Sequence, residues 1–485
     1  MSSHRMKEDR QKLVEAHRVA VFQAGSATRR DVAAGQSLRI LAPATPVSTE
    51  RVVIAIDLDY FYAQVEVREG QGLDERPVGV TQQHIVVTCN YHARELGVKK
   101  LMLTSKAREL CPEIVLMCGE DLTKYRAANE IVHQALRRAC GSATKIEKLG
   151  LDEFFVDATE LVHQRLKTRQ YEFGFAGIVY PLDGHFDGSL DQHTEQKLMV
   201  GSQLAAELRQ RILDDSRLTC CAGVSTNKML AKFAANMNKP DKQTCLLPTA
   251  AADYVSQLPL RQLPGVGYKS SHELQSVFEE ISTGGDLRAQ YNLPQLENLL
   301  GVQRARWLWA LVCGEDPSAV KNSEACKVVS VEDSFRAARS WWEVKDLIAK
   351  LCSELRERLR VDAELHGRRK PTIFRITFRH KKRNRESRSS PFPDKALDLE
   401  GLAISLLTRA GLQEPFHLTL LGVGAGSFTA KAVKTAAAAA EDFFRKRGNK
   451  TSSITCPVCQ KPVSGLSNDL VNAHIDKCLL QSSIP

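Results

Sequence analysis

The sequence predicts an α+β protein of several domains, and three observations carry that reading. The chain has 485 residues, too many for one hydrophobic core, and should divide into about three or four domains. Through residues 51–428, short β-branched apolar runs of strand length alternate with amphipathic stretches of helical period. The pattern then shifts twice: longer strands take over from 331, and Cys and His at metal-site spacing appear after 452.

Composition narrows the class. Apolar residues make up 43% of the chain, ample for globular folding. Lys and Arg number 67 against 57 Asp and Glu, and the net charge of +10 favours a polyanionic partner. No run of 18 apolar residues occurs, so no membrane span is expected. The opening MSSHRMKEDRQK lacks an apolar signal core, so secretion is not expected. Ten of the 13 cysteines are scattered, which fits reduced, buried thiols in an intracellular protein.

In chain order, residues 1–50 read as a flexible arm with a short helix near 6–22. RVVIAIDLDYFYAQVE (51–66) is a buried strand that runs into Asp57, Leu58 and Asp59, then three aromatics, then a helix. Carboxylates at the end of a buried strand are costly unless a cation meets them. Residues 77–80 and 85–88 read as strands around a polar turn, 89–100 as a helix closed by Gly97, and 120–140 as a helix. KIEKLGLDEFFVD (145–157) reads as a hairpin with Asp152 and Glu153 at its tip. Residues 165–197 are polar, Gly-rich and hard to assign.

An amphipathic helix fits 200–213, and a strand leads into a helix over 221–240 that carries Lys228 and Lys232 on one face. Short helices over 252–316 surround the glycine turn of LPGVGYKS (263–270). Residues 317–330 read as a linker. A helix near 341–361 then precedes strands near 372–379 and 417–423, and 429–450 is helix-prone without a packing face.

Asp57, Asp152 and Glu153 form a candidate acid set. Hard divalent cations take oxygen ligands and leave positions for substrate phosphates, and two such ions suit phosphoryl transfer. Tyr91 and Arg94, three apart on a helix, and Lys239 are candidates to grip a triphosphate. Gly265, Gly267 and Lys269 form a turn where backbone N–H groups can approach a DNA phosphate. Residues 368–388 hold ten Lys or Arg and one acid, with Arg375, Thr377 and Arg379 alternating with Ile376 and Phe378. That is a strand with one basic face, suited to a phosphate backbone. Cys456-x2-Cys459-x14-His474-x3-Cys478 suits a closed structural zinc site.

Together these segments resemble the Y-family translesion DNA polymerases, in family order and over residues 51–428. The resemblance implies a right-hand architecture: a ferredoxin-like palm (51–60 and 122–248), small fingers (61–121) and a helix-hairpin-helix thumb (249–316). A linker (317–330), an α/β little finger (331–428), a second linker (429–452) and a ββα zinc finger (453–481) complete it. It makes Asp57, Asp152, Glu153 and the Leu58 carbonyl ligands of two Mg²⁺ (or Mn²⁺), and Tyr62 the residue that excludes a ribose 2′-OH. Tyr91, Arg94 and Lys239 become nucleotide contacts, and Gly265, Gly267, Lys269, Arg375 and Arg379 DNA-backbone contacts. Gln82 and Ile85 match residues that crowd the templating base in one branch, though Gln83 and His84 depart from it.

The tail resembles a ubiquitin-binding zinc finger, with Asp476 and Ala473 facing ubiquitin. The expected partners are therefore primer–template DNA, dNTPs, and ubiquitin or a ubiquitinated sliding clamp, with other translesion factors besides. The expected location is the nucleus. The rival readings are a nucleotide cyclase, which needs neither a basic little finger nor a thumb hairpin, and a catalytically weak ubiquitin-reading scaffold at stalled forks.

Overall fold

A computed structural model describes residues 49–181, 190–278, 281–367, 369–381, 384–393 and 398–429, and the backbone of 454–455 and 462–463. The chain forms two compact units that divide after Ser323. The first runs β1 (Val53–Leu58), α1 (Phe61–Glu69), β2 (Val78–Gln82), β3 (Ile85–Cys89), α2 (Tyr91–Glu95), β4 (Met102–Leu103) and α3 (Thr104–Leu110). It continues through β5 (Val115–Cys118), α4 (Thr123–Cys140), β6 (Ile146–Leu149), β7 (Glu153–Asp157), α5 (Thr159–Thr168), β8 (Ile178–Tyr180) and α6 (Gln192–Ser216). After β9 (Cys220–Ser225), α7 (Lys228–Met237) and β10 (Gln243–Leu246) come α8 (Ala251–Ser256), α9 (Tyr268–Val277), α10 (Gly284–Gln290), α11 (Leu293–Leu300) and α12 (Val302–Val312).

A six-stranded sheet in the order β6-β7-β1-β9-β10-β8 positions the site. Strand β1 is buried along its whole length and pairs antiparallel with both β7 and β9. The two-residue period of a strand sorts its side chains. Ile54, Ile56 and Leu58 join a core with Leu136 and Val132 of α4, Val162 of α5, and Leu204, Leu208 and Ile212 of α6. Val53 and Ala55 pack on the other face with Phe155, Ala231, Ala235 and Val320. Asp57 continues that second row, so its carboxylate emerges on the face covered by α7. Gly223 of β9, opposite Ala55, lies beneath the same helix.

Two further bodies complete the unit. A four-stranded sheet, β4-β3-β2-β5, packs Val86 and Cys89 against Ala93, Val98, Ala107, Cys111 and Ile114. Helices α8 to α12 form a core with Leu263, Val266, Leu274 and Phe278, which Met229, Leu230 and Ala234 of α7 also enter.

The second unit contains β11 (Val328–Ala338), α13 (Trp341–His366), β12 (Ile373–His380), β13 (Glu386–Pro391), α14 (Leu399–Arg409) and β14 (Leu418–Gly426). Its sheet, β11-β14-β12-β13, is antiparallel throughout. Phe374, Ile376 and Phe378 of β12 are buried with Val344, Ile348 and Leu355 of α13 and Leu407 of α14. A short hairpin pairs β15 (Ile454–Thr455) with β16 (Pro462–Val463), so Cys456 and Cys459 fall between its strands in sequence.

Several expectations are corrected. The stretch 165–197 holds an edge strand, β8, parallel to β10. The helix placed at 200–213 begins at Gln192, because the Asp191 side chain accepts from the Thr194 N–H and caps it there. The linker placed at 317–330 is largely attached: Val320 is buried, the Asn322 side chain accepts from the Ile146 N–H (3.2 Å) and the Ser323 hydroxyl from the Lys148 N–H (2.6 Å), and β11 starts at Val328. Of the ten described cysteines eight are buried, but Cys118 and Cys326 are exposed. No described helix is long and apolar enough to cross a membrane. The arm at 1–48, the linker residues 430–452, and Cys456, Cys459, Ala473, His474, Asp476 and Cys478 lie outside the described residues.

Candidate active site

Three carboxylates meet at one corner of the six-stranded sheet. Asp57 of β1 stands directly opposite Glu153 of β7, and the Leu58 N–H donates to the Asp152 carbonyl at 2.8 Å. Burial pushes the Asp57 carboxyl up to about 6; Lys239 pulls against that shift, while Glu153 and Asp152 add to it. Asp152 is raised by burial and by Glu153. Asp57 thus feels the charge of both other acids, and such a cluster favours positive charge nearby.

Helix α7 and the turn after it supply that charge. Lys232 Nζ lies 2.8 Å from Glu153 Oε2, Lys228 lies 2.9 Å from Glu147, and Lys239 Nζ lies 2.5 Å from Asp57 Oδ1. The spacing of Lys228 and Lys232, one turn apart, matches Glu147 on β6 and Glu153 on β7. The expected ligands Asp57, Asp152 and Glu153 lie at one corner of the sheet, with Asp57 and Glu153 each paired to a lysine. Among the described residues no group of three or more His, Cys, Asp or Glu is arranged to hold a metal ion, and lysine ammonium groups pair with two of the three carboxylates. The donors themselves, all oxygen and mutually repelling, fit hard divalent cations.

The aromatic run is placed by backbone geometry. Tyr60 is left-handed (φ 35°, ψ 43°), so the chain turns sharply from β1 into α1. Its ring meets Tyr91 edge-on at 5.3 Å, and the Arg94 guanidinium lies 4.7 Å over Tyr91 while its Nε–H donates to the Cys89 carbonyl at 3.1 Å. Burial, then the Asp59 charge, pushes the Tyr91 hydroxyl up to about 12. Tyr62 stacks on Tyr125 with ring centroids 4.3 Å apart. Its hydroxyl is raised by burial and then by the charge of the Asp152 carboxylate.

Beneath Tyr62, the buried Glu66 accepts from the Tyr125 hydroxyl and from Lys124 Nζ (2.7 Å). Tyr125, Lys232 and Glu66 are site residues to which the sequence pattern assigns no part. The spacing of Lys232 to Lys228 was the only signal for any of them.

The remaining expected residues stand elsewhere. Gln82 and Ile85 form the last pair of the β2–β3 hairpin, on the smaller sheet; the Gln82 amide donates to the Gly119 carbonyl at 3.0 Å and Ile85 is exposed. Gly265 is left-handed (φ +82°), and a Cβ there would come 2.7 Å from the Trp307 ring. Gly267 precedes α9 in extended backbone with open space where a Cβ would be, and Lys269 lies in the first turn of α9. In the second unit Arg375 and Arg379 point away from the core, Arg375 toward the Ser389 hydroxyl (3.3 Å) and Arg379 toward the Thr419 hydroxyl (2.9 Å).

The mixed α/β layout is consistent with that of a Y-family polymerase. The chain belongs to the impB/mucB/samB family: that family matches residues 56–236, and its C-terminal domain matches 327–437. It is 31% identical over 314 residues to a DNA polymerase IV of Photorhabdus laumondii, covering 64% of this chain and 78% of that protein. It is 38% identical over 414 residues to DNA polymerase iota of Mus musculus, covering 81% of this chain and 56% of that protein. To the Homo sapiens protein of the same name it is 37% identical over 431 residues, covering 84% and 56%. The chain thus spans little more than half the length of these two animal relatives.

Proposed function

We propose that the protein is a low-fidelity, template-dependent DNA polymerase for translesion synthesis. The primer 3′-OH attacks the α-phosphate of a dNTP, joining dNMP to the primer and releasing pyrophosphate. The observation that carries this is the corner where Asp57 faces Glu153 across two paired strands, tied to Asp152 through the Leu58 N–H. Relatives named DNA polymerase support it.

Asp57, Asp152, Glu153 and the Leu58 carbonyl would hold two Mg²⁺ or Mn²⁺ ions, which supply charge neutralisation and alignment. Lys239, Tyr91 and Arg94 bind the triphosphate, Lys239 exchanging the Asp57 carboxylate for phosphate oxygens. Tyr62 excludes the ribose 2′-OH. Gln82 and Ile85 contact the templating base. The turn at Gly265, Gly267 and Lys269 and the outward arginines Arg375 and Arg379 take DNA phosphates. At the C-terminal end Cys456, Cys459, His474 and Cys478 hold Zn²⁺, and Asp476 and Ala473 bind ubiquitin, recruiting the enzyme to ubiquitinated clamp in the nucleus.

Single-nucleotide primer extension opposite each template base, with Mg²⁺ and with Mn²⁺, tests the chemistry beside Asp152→Asn. Incorporation that the variant abolishes supports it. Extension unchanged in Asp152→Asn sinks the acid assignment, and no incorporation by the wild type brings the scaffold reading forward. Ubiquitin capture lost in Asp476→Ala, with extension intact, tests recruitment separately.

A further inference from the structure

Asp59 is a buried carboxylate that the proposed chemistry does not use. It follows the last residue of β1 and is fully buried. Its Oδ2 accepts from the Thr219 hydroxyl (3.0 Å) and from the Asp241 N–H (3.0 Å), and its Oδ1 accepts from the Cys221 thiol (3.2 Å). All three donors are neutral. Its backbone is tied as well: the N–H donates to the Thr219 carbonyl (3.2 Å), and the carbonyl accepts from the Gln64 amide (2.6 Å).

A buried carboxylate with neutral donors is kept by the geometry it enforces, since a hydrocarbon of similar size would avoid the desolvation cost. That geometry concerns the turn between α7 and β10. Asp57 and Asp59, two apart, reach the same turn from the same side: Asp57 meets the Lys239 ammonium at 2.5 Å, and Asp59 takes the backbone of Asp241. The Asp241 side chain is held separately by Arg209 at 2.6 Å. Asp59 therefore fixes the backbone from which Lys239 projects.

We infer that Asp59 is a positioning residue for nucleotide binding, aiming Lys239 at the triphosphate by clamping residue 241. This rests on the assignment of Lys239 to the triphosphate. Asp59→Asn keeps the shape but has one acceptor oxygen where the carboxylate has two, so it cannot accept from Thr219, Asp241 and Cys221 together.

The test is the Kd of the full chain for the next correct dNTP on a dideoxy-terminated primer–template, which needs no turnover. Asp59→Asn should weaken it by about five- to a hundredfold, the range for one unsatisfied buried polar group. The double variant Asp59→Asn/Lys239→Ala should be no weaker than Lys239→Ala alone. Thr219→Val should show the same change in smaller measure and Thr219→Ser almost none; this pair also decides the matter if Asp59→Asn does not fold.

Additive losses in the double variant, or a lowered Tm with an unchanged Kd, would overturn the inference. An unchanged Kd in Lys239→Ala would overturn it by removing its premise. Wild type that binds dNTP but does not extend primer would instead count against the polymerase reading.

Discussion

Gly223 and Ala231 are in backbone contact across the seam between β9 and α7. A Cβ on Gly223 would fall on the Ala231 carbonyl oxygen and the Ala235 nitrogen, and would stand 2.9 Å from the Ala234 carbonyl carbon. All three obstacles are main chain, so none can turn aside. The approach lets Lys228 and Lys232 reach acids on β6 and β7. Gly223→Ala should lower stability by about 3 kcal/mol, the upper part of the overpacking range, and should weaken dNTP binding with it. Urea unfolding beside a nucleotide titration checks both; an unaltered midpoint would contradict the contact.

Tyr125 should separate ring from hydroxyl. Tyr125→Phe keeps the stack under Tyr62 but leaves the buried Glu66 with Lys124 as its remaining donor of the two, at a cost of about 1–3 kcal/mol. Preference for dNTP over rNTP should persist in that variant. Tyr125→Leu removes the stack, and the preference should fall about two- to tenfold. Ratios of kcat/KM for the two sugars measure it.

Glu130 gives a pH signature. Burial pushes its carboxyl up, but the His133 ring 3.7 Å away and the Lys148 ammonium at 2.7 Å outweigh that and hold it at about 2. A depressed carboxyl stabilises the fold above its unfolded pKa and loses that contribution as pH falls through the folded value. The stability gap between wild type and Glu130→Gln should close as pH falls between about pH 4 and 2. Thermal melts across that range would show it, and a gap that widened toward acid would refute the assignment.

Metal addition should be visible without substrate. Mg²⁺ or Mn²⁺ at a hundred times its Kd should stabilise the fold by about 2.7 kcal/mol. Asp57→Asn should lose most of that increment while keeping its fold. An equal rise in both proteins would place the ion elsewhere.

Much of this was legible in the sequence where a local pattern had a single reading. Five apolar residues before Asp57 meant a buried strand, and the alternation of Arg375, Thr377 and Arg379 with Ile376 and Phe378 sorted β12 correctly. What escaped depends on distant pairing. Strand β8 has three residues, too few for a period, and exists because β10 pairs with it from more than sixty positions away. Val320 looked like part of a linker because its apolar neighbours, Val53, Ala55 and Phe155, lie far along the chain. The sequence marks Lys239 as a phosphate contact, but its ion pair with Asp57 joins residues far apart in the chain and leaves no trace in local spacing.

Helix α7 belongs to two interiors at once. Ala231 and Ala235 seal the sheet face with Val53, Ala55 and Phe155, while Met229, Leu230 and Ala234 seal the helical core with Leu263, Leu274 and Phe278. Neither interior can admit water without displacing the wall of the other, so the two should open as one cooperative step. Amide protons of β1 and of α12 would then exchange with a common opening free energy. A substitution deep among the helices would reach the acid corner as a change in how often it is breached.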